Sequence, residues 1–326
     1  MIKYVFKRIG LMLLTFSVIM TMCFILVKLL PLPELPQSKA EAETIAQRRV
    51  DMGYWIINEK GEYVTAPILS QFFSFVKRVV FYGDWGVGET MYKTKEVTSI
   101  FKEKLPITML LNVYSMLVSV PLGLALGIYA ALRKNKWQDH FISTSVMVFV
   151  SVPSYVYAFL IQYIFAFKLR WFPSSINAGY DYFTWDFFVS MIMPIMALSF
   201  GVIAGLTRYT RAELTEVLTS EFMLLARTKG LTKGQATLRH ALRNAMVPIF
   251  PSIIGQFIGI LSGSLIIEKI FNIPGVGGLY LQSINLRDYN FFMMLSAFYT
   301  FIGLAAGILI DLSYGFIDPR IRMGSK

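Results

Sequence analysis

The chain is short of the residues on which most catalytic and metal chemistry depends. Among 326 residues there are one cysteine, Cys23, and two histidines, and charged side chains make up only 16%. A lone cysteine excludes an internal disulfide, and no Cys/His spacing suggests a metal site. The sequence has no GxxxxGK[ST] phosphate loop, no HExxH pair and no nucleophile with a histidine partner. If ATP is used, another chain binds it.

Apolar residues fill the space the missing ones leave. The composition is 55% hydrophobic, and the mean hydropathy of +0.56 belongs to an integral membrane protein rather than a soluble domain. About 20 apolar residues cross a bilayer, and runs at 9–30, 106–131, 141–167, 187–207, 246–267 and 291–314 qualify. The expected fold is all-α, with six transmembrane helices and a long external loop after the first. The chain then divides into 1–30, an N-terminal cytosolic end with the first span; 31–105, an external loop or small cap; and 106–326, a five-helix core with a cytosolic loop at 208–245. The first run follows Lys3, Lys7 and Arg8 as a signal peptide would, but it is too long and no small-x-small cleavage site follows. Cys23 lies between Met22 and Phe24, a poor lipoprotein site, so the run reads as a retained span.

Six spans put both termini on one side. That side holds the N-terminal basic residues, Arg133, Lys134 and Lys136, seven more cations in 208–245, and Arg320, Arg322 and Lys326. The short opposite loops hold only Lys168, Arg170, Lys269 and Arg287. Basic loops stay in the cytosol, so both termini are expected there, and the +11 net charge reads as loop bias and affinity for anionic lipid, not nucleic acid. Lys28, near a span end, is placed to snorkel.

Span interiors lack ionisable groups. Glu268 and Asp311 fall at span ends and His140 and His240 in cytosolic loops, which disfavours proton coupling. Asn112, Gln162 and Gln256 remain as pathway candidates, with helix–helix hydrogen bonding the more frequent use of such residues. Gly123/Gly127, Gly201/Gly205, Gly255/Gly259/Gly263 and Gly303/Gly307 stand four apart within spans, a spacing that lets backbones approach closely. Pro121, Pro153 and Pro194 are expected to kink or break their helices.

The cytosolic loop carries the strongest local signals. Ser220 and Glu221 suit a helix start. Phe222, Leu225 and Ala226 follow at i, i+3, i+4; Arg227 and Lys229 close the helix, and Gly230 suits its C-cap. Thr232-Lys233-Gly234-Gln235 has the capping-box form. Leu238, Ala241, Leu242 and Ala245 then make an apolar stripe leading into the fifth span. Five consecutive apolar residues, Phe222 to Ala226, exceed what so short a helix can bury by itself. Patterning leaves two readings open: packing on the protein's own spans or the lipid interface, or a knob for a groove in a separate cytosolic protein.

"ARTKGL" at 226–231 and "RHALRNAMVP" at 239–248 resemble the coupling segment of ABC-importer permeases in the variant of the dipeptide/oligopeptide/nickel branch. "FYGDWGVG" (81–88) ahead of "LPITMLLN" (105–112), "EKIFNIPGVGGLYLQSINLRDYN" (268–290) and "DPRIR" (318–322) are similar to further elements of that branch. The "IKYVFKRI" start looks like its B-type subunit. The resemblance spans the chain apart from about 33–70. It implies a type I ABC importer fold in the bacterial cytoplasmic membrane. It also implies a second homologous permease, two cytosolic ATPases that hold ATP and Mg, and an external substrate-binding lipoprotein. This chain would bind no cofactor and catalyse nothing itself. The resemblance assigns Glu221, Phe222, Leu225, Ala226, Arg227, Lys229, Gly230 and Leu231 to ATPase coupling, and Pro274, Gly275, Gly277 and Gly278 to an external gate. Arg287 and Asp288 are either a local ion pair or a contact for the binding protein. Peptides are the expected cargo; nickel or another small solute, a membrane scaffold without transport and an autonomous channel are the alternatives.

Overall fold

A computed structural model describes residues 2–33, 35, 37–176, 181–259 and 264–317. Helix α1 (Ile2–Leu29) is apolar nearly throughout, as a span must be. The segment after it is folded rather than open. It holds α2 (Lys39–Asp51), a hairpin of β1 (Trp55–Ile57) and β2 (Tyr63–Thr65) that pairs Trp55 with Thr65, and α3 (Ile68–Lys77) running into a π turn over Arg78–Tyr82. The hairpin is a small departure from the all-α expectation.

The remaining elements are α4 (Val97–Leu132), α5 (Trp137–Ser151), α6 (Ser154–Ile161) with a π extension over Gln162–Lys168, and α7 (Trp185–Leu218). They continue with α8 (Glu221–Thr228), α9 (Lys233–Ala236), a π turn over Thr237–Ala241, α10 (Leu242–Gly259), α11 (Leu265–Ile270), α12 (Gly277–Asn285) and α13 (Tyr289–Ile317).

The count of six spans is not met among the described residues. Four helices are long and apolar enough to cross a membrane: Val5–Leu29, Val97–Leu132, Trp185–Leu218 and Tyr289–Ser313. The third expected span is broken, with a bend of 98° between Trp137–Ser151 and Ser154–Lys168. Pro153 offers no N–H and drives Val152 to an extended conformation, φ −92° and ψ 125°. The fifth is divided between α10, which carries Pro248 and Pro251, and the six-residue α11, with 260–263 outside the described residues. Pro121 and Pro194, in contrast, interrupt neither α4 nor α7.

Helices α4 and α7 run side by side in the same direction. The Ser115 and Ser199 hydroxyls lie 3.1 Å apart, and Thr207 Oγ1 donates to Gly123 O at 3.3 Å, the same offset of 84 residues in both pairs. Two parallel helices require the chain between them to travel back, and the bent pair α5–α6, counted as one span, brings the number among the described residues to five. The contact is close: a Cβ on Gly123 would come within 2.9 Å of the Leu206 side chain, and one on Gly127 within 2.9 Å of Thr207 O. The four-apart glycine expectation therefore holds for this pair. Gly205, Gly303 and Gly307 meet nothing within 4 Å.

The chain forms two compact units. In the unit built from 107–275 and 305–326, one buried cluster gathers Leu111, Phe187, Met191, Ile267 and Phe271, and another Leu206, Leu214, Met223, Ala226, Ala241, Ala245 and Ile249. In the unit built from 2–106 and 276–304, Phe24, Met52, Tyr54, Phe75 and Met293 form one cluster and Ile100, Phe101, Val276 and Phe291 another. Lys28 of that unit packs its ammonium 3.2 Å from the Tyr54 ring centroid, a cation–π contact.

Candidate coupling site

Helix α7 ends at Leu218 with Thr219 as its C-cap, and the chain turns directly into α8. Ser220 stands at the N-cap in extended conformation, but its hydroxyl donates back to Val217 O at 2.6 Å instead of capping α8. The other end is closed fully. Gly230 takes φ +92°, and its N–H donates to Arg227 O at 3.0 Å while Leu231 N–H donates to Ala226 O at 3.3 Å. These two bonds form a Schellman motif, which depends on a left-handed residue where glycine carries no steric penalty. The next helix is sealed by the expected capping box: Gln235 N–H donates to the Thr232 hydroxyl at 3.3 Å and Thr232 N–H to Gln235 Oε1 at 3.1 Å. Both sides of the turn are thus fixed by their own hydrogen bonds.

Within α8 the inward residues are Met223 and Ala226, packed with Leu214, Ala236 and Ala241. Phe222, Leu224 and Leu225 face outward, 41%, 66% and 55% exposed. Ala226, expected on the displayed stripe, belongs to the core. Glu221, Arg227 and Lys229 are exposed, and Leu231 is half-buried against the same cluster. The expected stripe from Leu238 is also corrected. Ala241 and Ala245 are buried, but Leu238 is 70% exposed. The π turn over Thr237–Ala241 widens the helix by one residue and rotates Leu238 off the face it would share with Ala241.

Earlier on α7 lies an ion pair that the sequence did not single out. Asp139, 1% exposed, accepts from Arg211 Nη2 at 2.7 Å and Nε at 2.5 Å and from Asn135 N–H at 2.9 Å. It ties the start of α5 to α7. The one carboxylate in a loop otherwise carrying Arg133, Lys134 and Lys136 was the available signal. Beside α8 opens a cleft of about 600 Å³ lined by the ends of α4 and α7, by Lys134 and Lys136, and by Glu221, Leu224, Arg227 and Lys233.

The external candidates separate into different roles. Gly275 is buried, and a Cβ there would come within 2.6 Å of Glu268 Oε2 and closer still to the Thr108 hydroxyl, which donates to Glu268 Oε1 at 2.9 Å. Glu268 is therefore a buried group seated under this loop. None of Gly275, Gly277 and Gly278 has a positive φ; Asn272, at +52°, takes the left-handed step. Pro274 is half-buried, and Gly277 and Gly278 open α12.

Arg287 is exposed and makes no ion pair with Asp288. The Asp288 carboxylate is fully buried and accepts the amide N–H groups of Glu89, Thr90 and Met91, each at 2.9 Å. Burial pushes its carboxyl above the usual range against the opposing pull of those amides. "GDWGVG" provides the approach: Asp84 accepts from Gly86 N–H at 2.7 Å, and Gly86 has φ +86°.

Two pathway candidates are engaged structurally. Gln162 donates to Ser174 O at 2.8 Å and Ile270 O at 3.0 Å, and Asn112 donates to Thr108 O at 2.7 Å. Gln256 Oε1 is buried without a partner among the described residues. The "DPRIR" stretch and Gly263 lie outside the described residues.

A family model described as binding-protein-dependent transport system inner membrane component matches residues 123–323. The dipeptide transport system permease protein DppB of Bacillus subtilis (strain 168) is 32% identical over 328 residues, covering 100% of each chain. The oligopeptide transport system permease protein OppB of Escherichia coli (strain K12) is 31% identical over 323 residues, covering 99% of this chain and 100% of its own. The crystal structure of an amino acid ABC transporter with histidines superposes with a TM-score of 0.48 at 20% identity, covering 67% of this chain and 94% of that one, a likeness that carries no argument.

Proposed function

The chain belongs to the family of binding-protein-dependent transport system inner membrane components, and from that membership we propose that it is a channel-forming subunit of an ATP-driven importer of dipeptides or oligopeptides. The cargo follows from the full-length relatives, whose names specify dipeptides and oligopeptides. A second permease completes the channel, two cytosolic ATPases drive it, and an external binding protein delivers the peptide. Both termini and the 208–245 loop face the cytosol. The loop's basic side chains support that orientation through the positive-inside rule.

The observation that carries the mechanism is the outward trio Phe222, Leu224 and Leu225 on a helix closed at its end by its own hydrogen bonds. Exposed apolar side chains on a short helix fit a groove in a partner, and the Schellman turn and capping box hold them rigidly enough to transmit a displacement. Closure of the ATPases on ATP draws α8 inward. The resulting motion opens the cavity outward, and hydrolysis resets it. Gly275, seated on Thr108 and Glu268, is the external gate residue that this reading favours.

The test uses the single cysteine. In a Cys23→Ser background, Leu225→Cys is cross-linked in native membranes. A product joining this chain to an ATPase, absent without the new thiol, is the expected result. A thiol shielded in a complex shown to be assembled, or one that reaches only this chain's own spans, rejects the docking assignment.

A further inference from the structure

Helix α3 is apolar on the flank where a water-facing helix is polar. Leu69 and Phe73 stand four residues apart on that flank, and the π turn that continues α3 displays Val80, Phe81 and Tyr82; each of the five is at least 67% exposed. The opposite flank is apolar too, because Phe72, Phe75, Val76 and Val79 join the cluster that holds Phe24 of α1. A helix apolar on both flanks is embedded on both. Protein covers one flank, and the level of α3 against α1 identifies the cover of the other. The uncharged run 9–27 between Arg8 and Lys28, at 1.5 Å per residue, is about 28 Å long, and a hydrocarbon layer is about 30 Å thick. The run has no slack, so Lys28 marks the edge of the layer and Phe24, one turn earlier, lies just inside it. The Phe24 ring meets those of Phe72 and Phe75 at centroid separations of 5.5 and 5.1 Å. Helix α3 is therefore held beside α1 at the depth where acyl chains meet headgroups.

We propose that α3 and its π turn form an interfacial anchor, with Leu69, Phe73, Val80, Phe81 and Tyr82 sunk among the lipids at the Lys28 end of α1. Interfacial helices bury an apolar face about 5–10 Å into the boundary between headgroups and acyl chains. The cover is continuous with that of α1, where Met22, Leu26 and Leu29 are also exposed. Tyr82 is of the aromatic type enriched at this level. Lys77 stands exposed between Phe73 and Val80 and forms no ion pair among the described residues. Its long stem reaches lipid phosphate, whereas a protein groove over the same stripe has to supply a carboxylate. Gln71 Nε2 donates to Ala66 O at 2.7 Å, which joins α3 to the end of the hairpin, so the anchor also sets the height of β1 and β2 at the membrane surface. The inference rests on the α1 span alone and is independent of the cargo and of the ATPases.

The test places a fluorescent NBD label on Phe73→Cys or Phe81→Cys, each in a Cys23→Ser background, within the complete transport complex in phosphatidylcholine nanodiscs. Both positions lie on the exposed flank, outside the cluster around Phe24, so neither substitution disturbs the packing of α3. Lipid carrying a nitroxide on its acyl chain should quench both labels. Aqueous iodide should quench them far less than a label on Glu43→Cys, an exposed position of the polar α2. Iodide quenching as strong as at Glu43→Cys, without quenching by the nitroxide lipid, overturns the proposal, because the face is then in water. Protection from both quenchers also overturns it, because a partner protein then covers the face.

Discussion

Two glycines are required for opposite reasons. At Gly230 the surroundings are open, with nothing within 4 Å of a built Cβ, but φ is +92°. Gly230→Ala should cost about 1 kcal/mol through backbone strain alone, and Gly230→Asn less, because Asn tolerates the left-handed region. Hydrogen exchange of 221–231, faster in the Ala variant, reports it locally. At Gly275 the backbone is ordinary and the space is filled by Thr108 and Glu268. Gly275→Ala should therefore lower stability by about 1–3 kcal/mol, measured as thermal unfolding in detergent. Gly275→Ala with Thr108→Ser keeps most of the crowding and should not rescue. The role of Gly230 was legible in the sequence because a cap announces itself by neighbours along the chain. Gly275 was legible only as a turn, since the groups that exclude its Cβ are 160 residues apart from each other.

At the scale of the element, two carboxylates fasten helix ends. Removing Arg211 would leave Asp139 without its counter-charge, and Arg211→Ala should cost about 1–3 kcal/mol, less than for a fully buried pair because Arg211 is 32% exposed. Arg211→Met with Asp139→Leu should recover much of that in chemical unfolding. Asp288, at the start of α13, gives a pH signature. Its folded carboxyl holds a proton more tightly than the unfolded chain does. Its contribution is therefore complete below the ordinary carboxylate range and is lost as pH rises through the raised value. The wild-type minus Asp288→Asn stability difference should fall with rising pH across that interval. Helix starts and stops such as Thr232…Gln235 could be read from sequence. The π turn at Thr237–Ala241 could not, because a one-residue widening leaves no compositional trace and shows only in the burial of Ala241 beside an exposed Leu238.

For the whole molecule, the parallel course of α4 and α7 fixes which ends share a side. In a Cys23→Ser background, single cysteines replacing Lys134 and Lys233 should label with an impermeant reagent from one face of sealed vesicles. A cysteine replacing Phe183, ahead of α7 and 88% exposed, should label from the other. Labelling of all three from the same face would refute the return crossing through α5–α6. Hydropathy located every apolar run but not how each is divided: Pro153 breaks its run where Pro121 and Pro194 do not. All three prolines lack the N–H, so the local rule that predicts a break does not separate them.

The Asp288 anchor also has a bearing on time. The amides of Glu89 to Met91 wait for a carboxylate 197 to 199 residues further along the chain. At about 5–20 residues per second of synthesis, that interval is on the order of ten to forty seconds. Throughout it the segment ahead of α4 has left the ribosome without its acceptor, so its final geometry is acquired only when the last helix arrives. That segment is therefore a late product of biogenesis, although it is encoded early.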